Sequence, residues 1–234
     1  MPNATLDLPA TLDLDQFLSE EAHDLRTPFN HITGFSKLIL SGTGPLYTAE
    51  MLHDDMATVY QSGQRALLLM NSLIDAARLK RHEKEASFST FQVKTLLEQS
   101  IALWKKFNPN SGLQPEYHIL TAIPRLIADE ILLRQALAGF ILYVAQYVDL
   151  EAQVTLTVED EPGWFVLTVT SQGKKVQPFS RLDLQLQGYV NRALIELQRG
   201  AIRRAEETDD GALIQFVLPN EQAADNPHRP DSAG

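Results

Sequence analysis

The chain has 234 residues, of which 44% are hydrophobic, so it can form one large domain or two small ones with buried cores. Its 20 basic and 30 acidic residues give a formal net charge of -10, which argues against nucleic acid or an anionic membrane as the main partner. It has no cysteine, and its six histidines lack metal-ligand spacing, so we expect no disulfide and no metal held by this chain alone.

The two ends of the chain carry no sign of a targeting or spanning segment. No apolar run reaches the roughly 20 residues that a helix needs to cross a bilayer, and the first residues lack a basic start and a hydrophobic centre. We therefore expect a cytoplasmic protein without a membrane span. Residues 1–13 are interpreted as an N-terminal extension, and the polar residues 220–234 as a disordered tail.

The first predicted element is a long helix that starts at residue 14 and ends near residue 40. Its apolar residues alternate between steps of four and three, with Ser36 filling one place: Leu18, Ala22, Leu25, Phe29, Ile32 and Ile39. Asp13 or Asp15 can cap its start. The glycines and proline of the sequence SGTGPLYT then break the helix.

The second predicted element is a helix that Thr48 can cap and that ends near Lys80. Its apolar stripe keeps heptad spacing: Leu52, Met56, Val59, Gly63, Ala66, Met70, Leu73 and Ala77. Residues 14–82 therefore form an antiparallel helical hairpin. Because one hairpin cannot enclose its own seam, we predict a two-fold homodimer in which two hairpins form a four-helix bundle.

The pattern after residue 82 changes to mixed helices and strands and predicts a second domain over residues 90–219. The predicted helices cover 91–107, 128–148 and 184–198, and the predicted strands cover 116–121, 153–159, 164–170, 201–206 and 212–218. The strands dominate one sheet with helices on one face. The fold class is α+β, with an N-terminal helical hairpin followed by an α/β sandwich.

The chemistry of the first helix centres on His23, which lies one step off the apolar stripe. A histidine in water is largely neutral at pH 7, so one ring nitrogen is free to attack a phosphoryl group. Asp24 could accept a proton or fix the ring tautomer, and Thr27, one turn further, could orient a water molecule. Pro28 should loosen the helix next to this site. The alternative is that His23 is only a polar residue beside a bundle seam.

The string His-Asp-Leu-Arg-Thr-Pro-Phe over residues 23–29 resembles the H-box of sensor histidine kinases, whose usual form is His-Glu/Asp-Leu-Arg-Thr-Pro-Leu. The resemblance implies that His23 is the phospho-acceptor, that Asp24 assists phosphoryl transfer and that Thr27 takes part in dephosphorylating a partner. It also covers the order of domains over residues 14–219, with a dimerising hairpin before a GHKL/histidine-kinase ATPase-like domain.

The second domain departs from this family at each nucleotide-binding motif. The family has two asparagines on the helix that matches residues 129–148, and Gly139 and Tyr143 occupy their places. Ser171 stands for the aspartate that binds adenine, and Lys175 stands for a glycine of the same box. The flexible lid is also missing. We therefore expect that ATP binding is lost, that the chain has no cofactor, and that a partner receiver domain supplies any Mg²⁺.

These observations favour a two-component signalling protein that resembles the histidine phosphotransferases of bacterial phosphorelays. The expected reaction is ATP-independent phosphotransfer, or dephosphorylation, between His23 and the receiver domains of response regulators. One alternative is a non-catalytic dimeric adaptor, or pseudokinase, that docks a histidine kinase or a response regulator. A divergent ATP-dependent histidine autokinase ranks last, and whether the chain is an enzyme stays open.

Overall fold

The structure is a computed structural model that describes residues 5–20, 22–41, 48–108, 111–177 and 181–220, without the side chains of residues 20–25 and 181–183. The chain divides into two compact units. We call residues 11–83 the helical unit, and residues 1–10 together with 84–234 the sheet unit. A helical unit followed by a unit that contains a sheet confirms the predicted α+β fold class.

The described residues of the helical unit form three helices: α1 (Leu14–Glu20), α2 (Ala22–Ser41) and α3 (Ala49–Lys80). Asp13 caps α1, because its carboxylate accepts hydrogen bonds from the N–H groups of residues 15 and 16 at 3.1 and 3.2 Å. Thr48 caps α3 by accepting from the N–H of Met51 at 3.2 Å, as predicted. Two basic residues in the last turn of α3, Arg78 and Lys80, favour its negative dipole end. Helices α2 and α3 pack along one another.

Helix α3 is apolar on two faces, and the single chain covers only one of them. The buried positions are Ser62, Ala66, Leu69, Ala76 and Leu79. The predicted stripe shares Ala66 with this set, whereas its members Met56 and Met70 are 58% and 47% exposed. A second stripe with steps of four and three faces outward through Met56, Tyr60, Gly63, Leu67, Met70 and Ile74. We call this set the outer stripe of α3.

The sheet unit is built on a five-stranded sheet with the strand order β2-β4-β5-β7-β6. Strand β2 is parallel to β4, and the other neighbours are antiparallel. Two further strands, β1 and β3, form a small antiparallel pair. The strands are β1 (Ser89–Gln92), β2 (Glu116–Ile119), β3 (Arg125–Ala128), β4 (Gln153–Glu161), β5 (Trp164–Gln172), β6 (Ala201–Thr208) and β7 (Gly211–Pro219).

In the part of this unit that the structure describes, three helices accompany the sheet: α4 (Val93–Phe107), α5 (Glu130–Ala145) and α6 (Arg181–Glu196). Asp129 caps α5 by accepting from the N–H of Leu132 at 3.0 Å. Helix α5 is apolar on nearly all sides because it packs against α4, α6 and the sheet. The described helices include none that is long and apolar enough to cross a membrane.

Three features of the sheet unit differ from the expectations. The β1–β3 pair was not predicted. Residues 5–8, interpreted as part of an extension, pack into this unit, with Leu6 and Leu8 buried. Asn220, predicted to begin a disordered tail, is buried, and its N–H donates to the carbonyl of Gly163 at 2.9 Å. The rest of that predicted tail, residues 221–234, lies outside the described residues.

Candidate functional site

The predicted phosphoryl-transfer residues lie on α2. The backbone of His23 and Asp24 is helical, and their side chains lie outside the described residues. Thr27 is half-buried and lies four residues after His23, which places the two on the same side of a helix. Pro28 is buried inside α2 and has no N–H to donate to the carbonyl of Asp24. The helix nevertheless continues to Ser41.

His31 lies two turns beyond His23 and is exposed. Its ring meets the ring of Phe35 edge-on, with the ring centres 6.4 Å apart. His31 thus packs against Phe35 on the surface of α2. His31 therefore offers a comparison residue on the same helix for tests of His23.

The place of the first lost asparagine, at Gly139, is filled from the neighbouring helix. A Cβ atom at Gly139 would collide with the side-chain amide of Asn191 on α6. Asn191 is only 5% exposed, and its Nδ2 atom has no hydrogen-bond partner among the described residues. A glycine in a helix interior costs stability, and here it allows the amide to lie against the backbone of α5. The buried amide of Asn191 on α6 thus lies against the position that the sequence analysis assigns to the family's first asparagine.

Tyr143, which the sequence analysis assigns to the family's second asparagine, is also packed against protein atoms. The Tyr143 side chain is fully buried and stacks on Tyr147 with ring centres 6.0 Å apart. Its hydroxyl donates a hydrogen bond to the backbone carbonyl of Asp7 at 2.9 Å. Burial raises the pKa of Tyr143 far above its usual value, with a further contribution from Tyr147, so the phenol stays protonated as a donor.

The position of the adenine-binding aspartate is occupied by a structural serine. Ser171 is 2% exposed, and its hydroxyl accepts the N–H of Ala212 at 3.1 Å. The adjacent Gln172 donates to the carboxylate of Asp210 at 2.7 Å. The hydrogen bond from Gln172, and to a smaller extent the one from Thr208, lowers the pKa of the Asp210 carboxyl. The end of β5 is therefore tied to the β6–β7 turn.

The segment that follows β5, around Lys175, is paired along its backbone. Lys175 forms an antiparallel bridge with Val148. The N–H of the next residue, Val176, donates to the carbonyl of Tyr147 at 2.9 Å. The ammonium group of Lys175 lies 2.7 Å from the carboxylate of Glu207. This segment is therefore closed against the residues that follow α5.

The four predicted degenerate positions therefore lie in one unit, and each is packed or bonded to protein atoms. Two residues that contact these positions, Asp7 at Tyr143 and Asn191 at Gly139, were not predicted from the sequence. A signal for Asn191 was present, because Gly139 interrupts an apolar helix and requires a close neighbour. A signal for Asp7 was the alternation of Leu6 and Leu8 around it, which is typical of a short strand.

Comparisons with known proteins agree with this architecture. Residues 13–82 match the His Kinase A (phospho-acceptor) domain. The chain is 23% identical over 164 residues to the histidine protein kinase DivJ of Caulobacter vibrioides, a match that covers 70% of this chain and 27% of that protein. Across the first curated relatives, this chain spans between 27% and 43% of their length.

Two solved structures share the fold. The histidine kinase AdeS of Acinetobacter baumannii aligns with a TM-score of 0.63 and 16% identity, covering 84% of this chain and 97% of that one. The histidine kinase ThkA, solved in complex with the response regulator protein TrrA, aligns with a TM-score of 0.63 and 19% identity, covering 88% and 61%. At these identities the likeness establishes the fold.

Proposed function

We propose that this chain takes part in two-component signalling as an ATP-independent histidine phosphotransferase built on the core of a histidine kinase. In the proposed reaction, a ring nitrogen of His23 attacks the phosphorus of an aspartyl phosphate on a receiver domain. A P–N bond forms while the P–O bond to the receiver aspartate breaks, which leaves that aspartate as a carboxylate. A second receiver takes the group by the reverse step.

The observation that carries the proposal is the contrast between the two units. The helical unit retains the string from His23 to Phe29, whereas the nucleotide positions of the sheet unit are occupied by protein atoms. Phosphoryl transfer from ATP depends on positioning and on neutralising the charge of the transferred group. With the family's ligands replaced at Gly139, Tyr143 and Ser171, the sheet unit has little with which to hold ATP and Mg²⁺.

The connection between β5 and α6 supports the same interpretation. Strand β5 ends at Gln172 and helix α6 begins at Arg181, so few residues are left for a nucleotide lid. The family likeness alone suits an ATP-dependent autokinase equally well. The choice between the two depends on the filled positions in the sheet unit and on this short connection.

The proposed partners are a receiver domain and a second copy of the chain. ThkA, which shares this fold, binds the response regulator protein TrrA in its solved complex, and this makes a receiver the first partner to test. The outer stripe of α3 fits a second copy, because its heptad spacing continues the hairpin's own packing pattern and its large apolar members remain exposed. The receiver's Mg²⁺ would stabilise the phosphoryl group during transfer.

The same site can also remove the phosphoryl group from a receiver. A water molecule then replaces His23 as the nucleophile, and inorganic phosphate is released. Thr27, half-buried and one turn beyond His23, is the residue that we assign to orienting this water. Asp24 is assigned to proton transfer in both reactions.

The test is phosphoryl transfer from labelled, phosphorylated receiver domains to the purified chain in buffer without ATP. Label should appear on the natural chain and on His31→Ala, and be absent from His23→Ala. Thr27→Ala should keep the label but slow the release of phosphate. If receivers bind the chain while the natural protein and His23→Ala are equally free of label, the chain is an adaptor and the proposal is wrong.

A further inference from the structure

Residues 5–8 pack against the sheet unit, and the first of them pairs with the edge of the sheet. Thr5 forms an antiparallel bridge with Glu206 on β6, the edge strand of the sheet. The N–H of Leu6 donates to the carbonyl of Ala205 at 2.9 Å. Addition of a short strand to an exposed sheet edge is one of the recurring ways in which proteins bind peptides.

The rest of this segment crosses from β6 onto α5 and α6. The carbonyl of Asp7 accepts the Tyr143 hydroxyl, and the Asp7 carboxylate accepts the side-chain amide of Gln185 at 3.1 Å. The carbonyl of Leu8 accepts Arg192 at 3.0 Å. The flanking side chains of Leu6 and Leu8 are only 4% and 7% exposed. Backbone bonds, a hydrogen-bonded acidic side chain and two buried apolar side chains are the features of a peptide site.

Helix α6 has a glycine at the point where the segment passes over it. A Cβ atom at Gly188 would lie 2.6 Å from the carbonyl oxygen of Asp7 and 3.1 Å from the side chain of Leu8. Backbone oxygen has no flexible end that can move away, so any larger residue would displace the segment. The surface of α6 is thus shaped for a peptide backbone at this position.

We propose that the groove between α5, α6 and the edge of β6 is a peptide-binding site for a Leu-Asp-Leu segment that turns at Asp7, where the N–H of Leu8 donates to the carbonyl of Leu6 at 3.0 Å, and that Thr5–Leu8 are its ligand within the same chain. This peptide has replaced nucleotide as the occupant of the site, because it bonds Tyr143 at one of the lost asparagine positions. The inference shares with the proposed function the loss of ATP binding, and it holds whether or not His23 accepts a phosphoryl group from a receiver.

A repeat in the sequence supports a motif-specific ligand. The string Ala-Thr-Leu-Asp-Leu occurs at residues 4–8 and again at residues 10–14. The second copy serves differently, since Asp13 caps α1. The chain therefore contains two copies of the motif that the groove recognises, and the docked copy is the one that lies outside the helical unit.

The first test measures amide hydrogen exchange of the full chain by mass spectrometry. Gly188→Ala should raise the exchange rate of the Leu6 amide by at least about tenfold, because the new methyl group expels the segment. Peptides from β4 and β5 should keep their protection, which shows that the sheet is still folded. Gly34→Ala is the control, since a Cβ there meets nothing within 4 Å. Unchanged protection of Leu6 in Gly188→Ala would overturn the proposal.

The second test offers the peptide from outside. In the full chain carrying Leu6→Asp and Leu8→Asp, a fluorescent peptide of residues 2–10 should bind saturably, and the same peptide with both leucines changed to aspartate should not. Adding Gly188→Ala should abolish binding. Absence of peptide binding while β4 and β5 remain protected would overturn the proposal, and so would saturable binding of MgATP to the same variant, because the groove would then still be a nucleotide site.

Discussion

Replacement of Gly139 by alanine asks directly whether the nucleotide position has been rebuilt as protein core. The new Cβ would collide with the amide of Asn191, which is buried between α5 and α6. In an open, solvent-filled site the same substitution would be harmless, and the helix would gain from the loss of a glycine. The sign of the stability change therefore distinguishes a packed position from an open one.

The magnitude follows from two opposing effects. Forcing a methyl group into a packed interior costs about 1–3 kcal/mol. Replacing glycine by alanine inside a helix contributes about 0.5–1 kcal/mol in the other direction. Gly139→Ala should therefore destabilise the sheet unit by up to about 2.5 kcal/mol, or up to roughly 10 °C in Tm. In an Asn191→Ala background the overlap is gone, so the same substitution should stabilise by about 0.5–1 kcal/mol.

The assay is urea and thermal unfolding followed by tryptophan fluorescence. Both tryptophans of the chain, Trp104 and Trp164, lie in the sheet unit, so the signal reports that unit alone. Gly34→Ala, in α2, should leave this transition unchanged. A higher Tm for Gly139→Ala in the natural background would refute the reasoning, because it would mean that the position of the lost asparagine is open.

Two further predictions concern other parts of the chain. Leu67 of the outer stripe is 58% exposed, and covering that fraction in a dimer contributes about 0.9–1.7 kcal/mol per protomer. Because both protomers lose this contribution, Leu67→Asp should raise the Kd of the proposed dimer by about 15- to 300-fold in sedimentation equilibrium. An unchanged Kd would place the interface elsewhere. The lowered pKa of Asp210 means that its contribution to stability is present above the usual aspartate pKa of about 3.9 and is lost as pH falls through the lower folded value. Asp210→Asn should remove that part of the acid dependence, measured as urea unfolding between about pH 5 and pH 2, and an unaltered acid profile would contradict this assignment.

Much of the fold could be predicted because its elements have strong periodicity. The helical hairpin follows from steps of three and four, and the β4–β5 hairpin from strict alternation around the turn at residues 161–163. The β1–β3 pair escaped prediction because β1 leads directly into α4, and the predicted helix already included residues 91 and 92. The predicted stripe of α3 contains half of the outer stripe, Met56, Gly63 and Met70, and misses the other half because one helix with two apolar faces gives overlapping heptads.

The candidate site was likewise only partly predictable from the sequence. The positions of lost chemistry, such as Gly139 and Tyr143, could be found from one motif at a time. The residues that fill them could not, because Asn191 and Asp7 come from distant parts of the chain and act through packing and backbone bonds. Such contacts depend on tertiary structure and leave only weak local signals, here one glycine and one short alternation.

The most direct measurement compares two phosphoryl sources on the same protein. The purified chain is incubated with radiolabelled MgATP alone, or with a labelled phosphorylated receiver in buffer without nucleotide, and phosphohistidine is located by mass spectrometry. The account predicts phosphohistidine at residue 23 from the receiver and none from ATP. Phosphohistidine formed from ATP alone and abolished by His23→Ala would contradict it, since the chain would then be an autokinase.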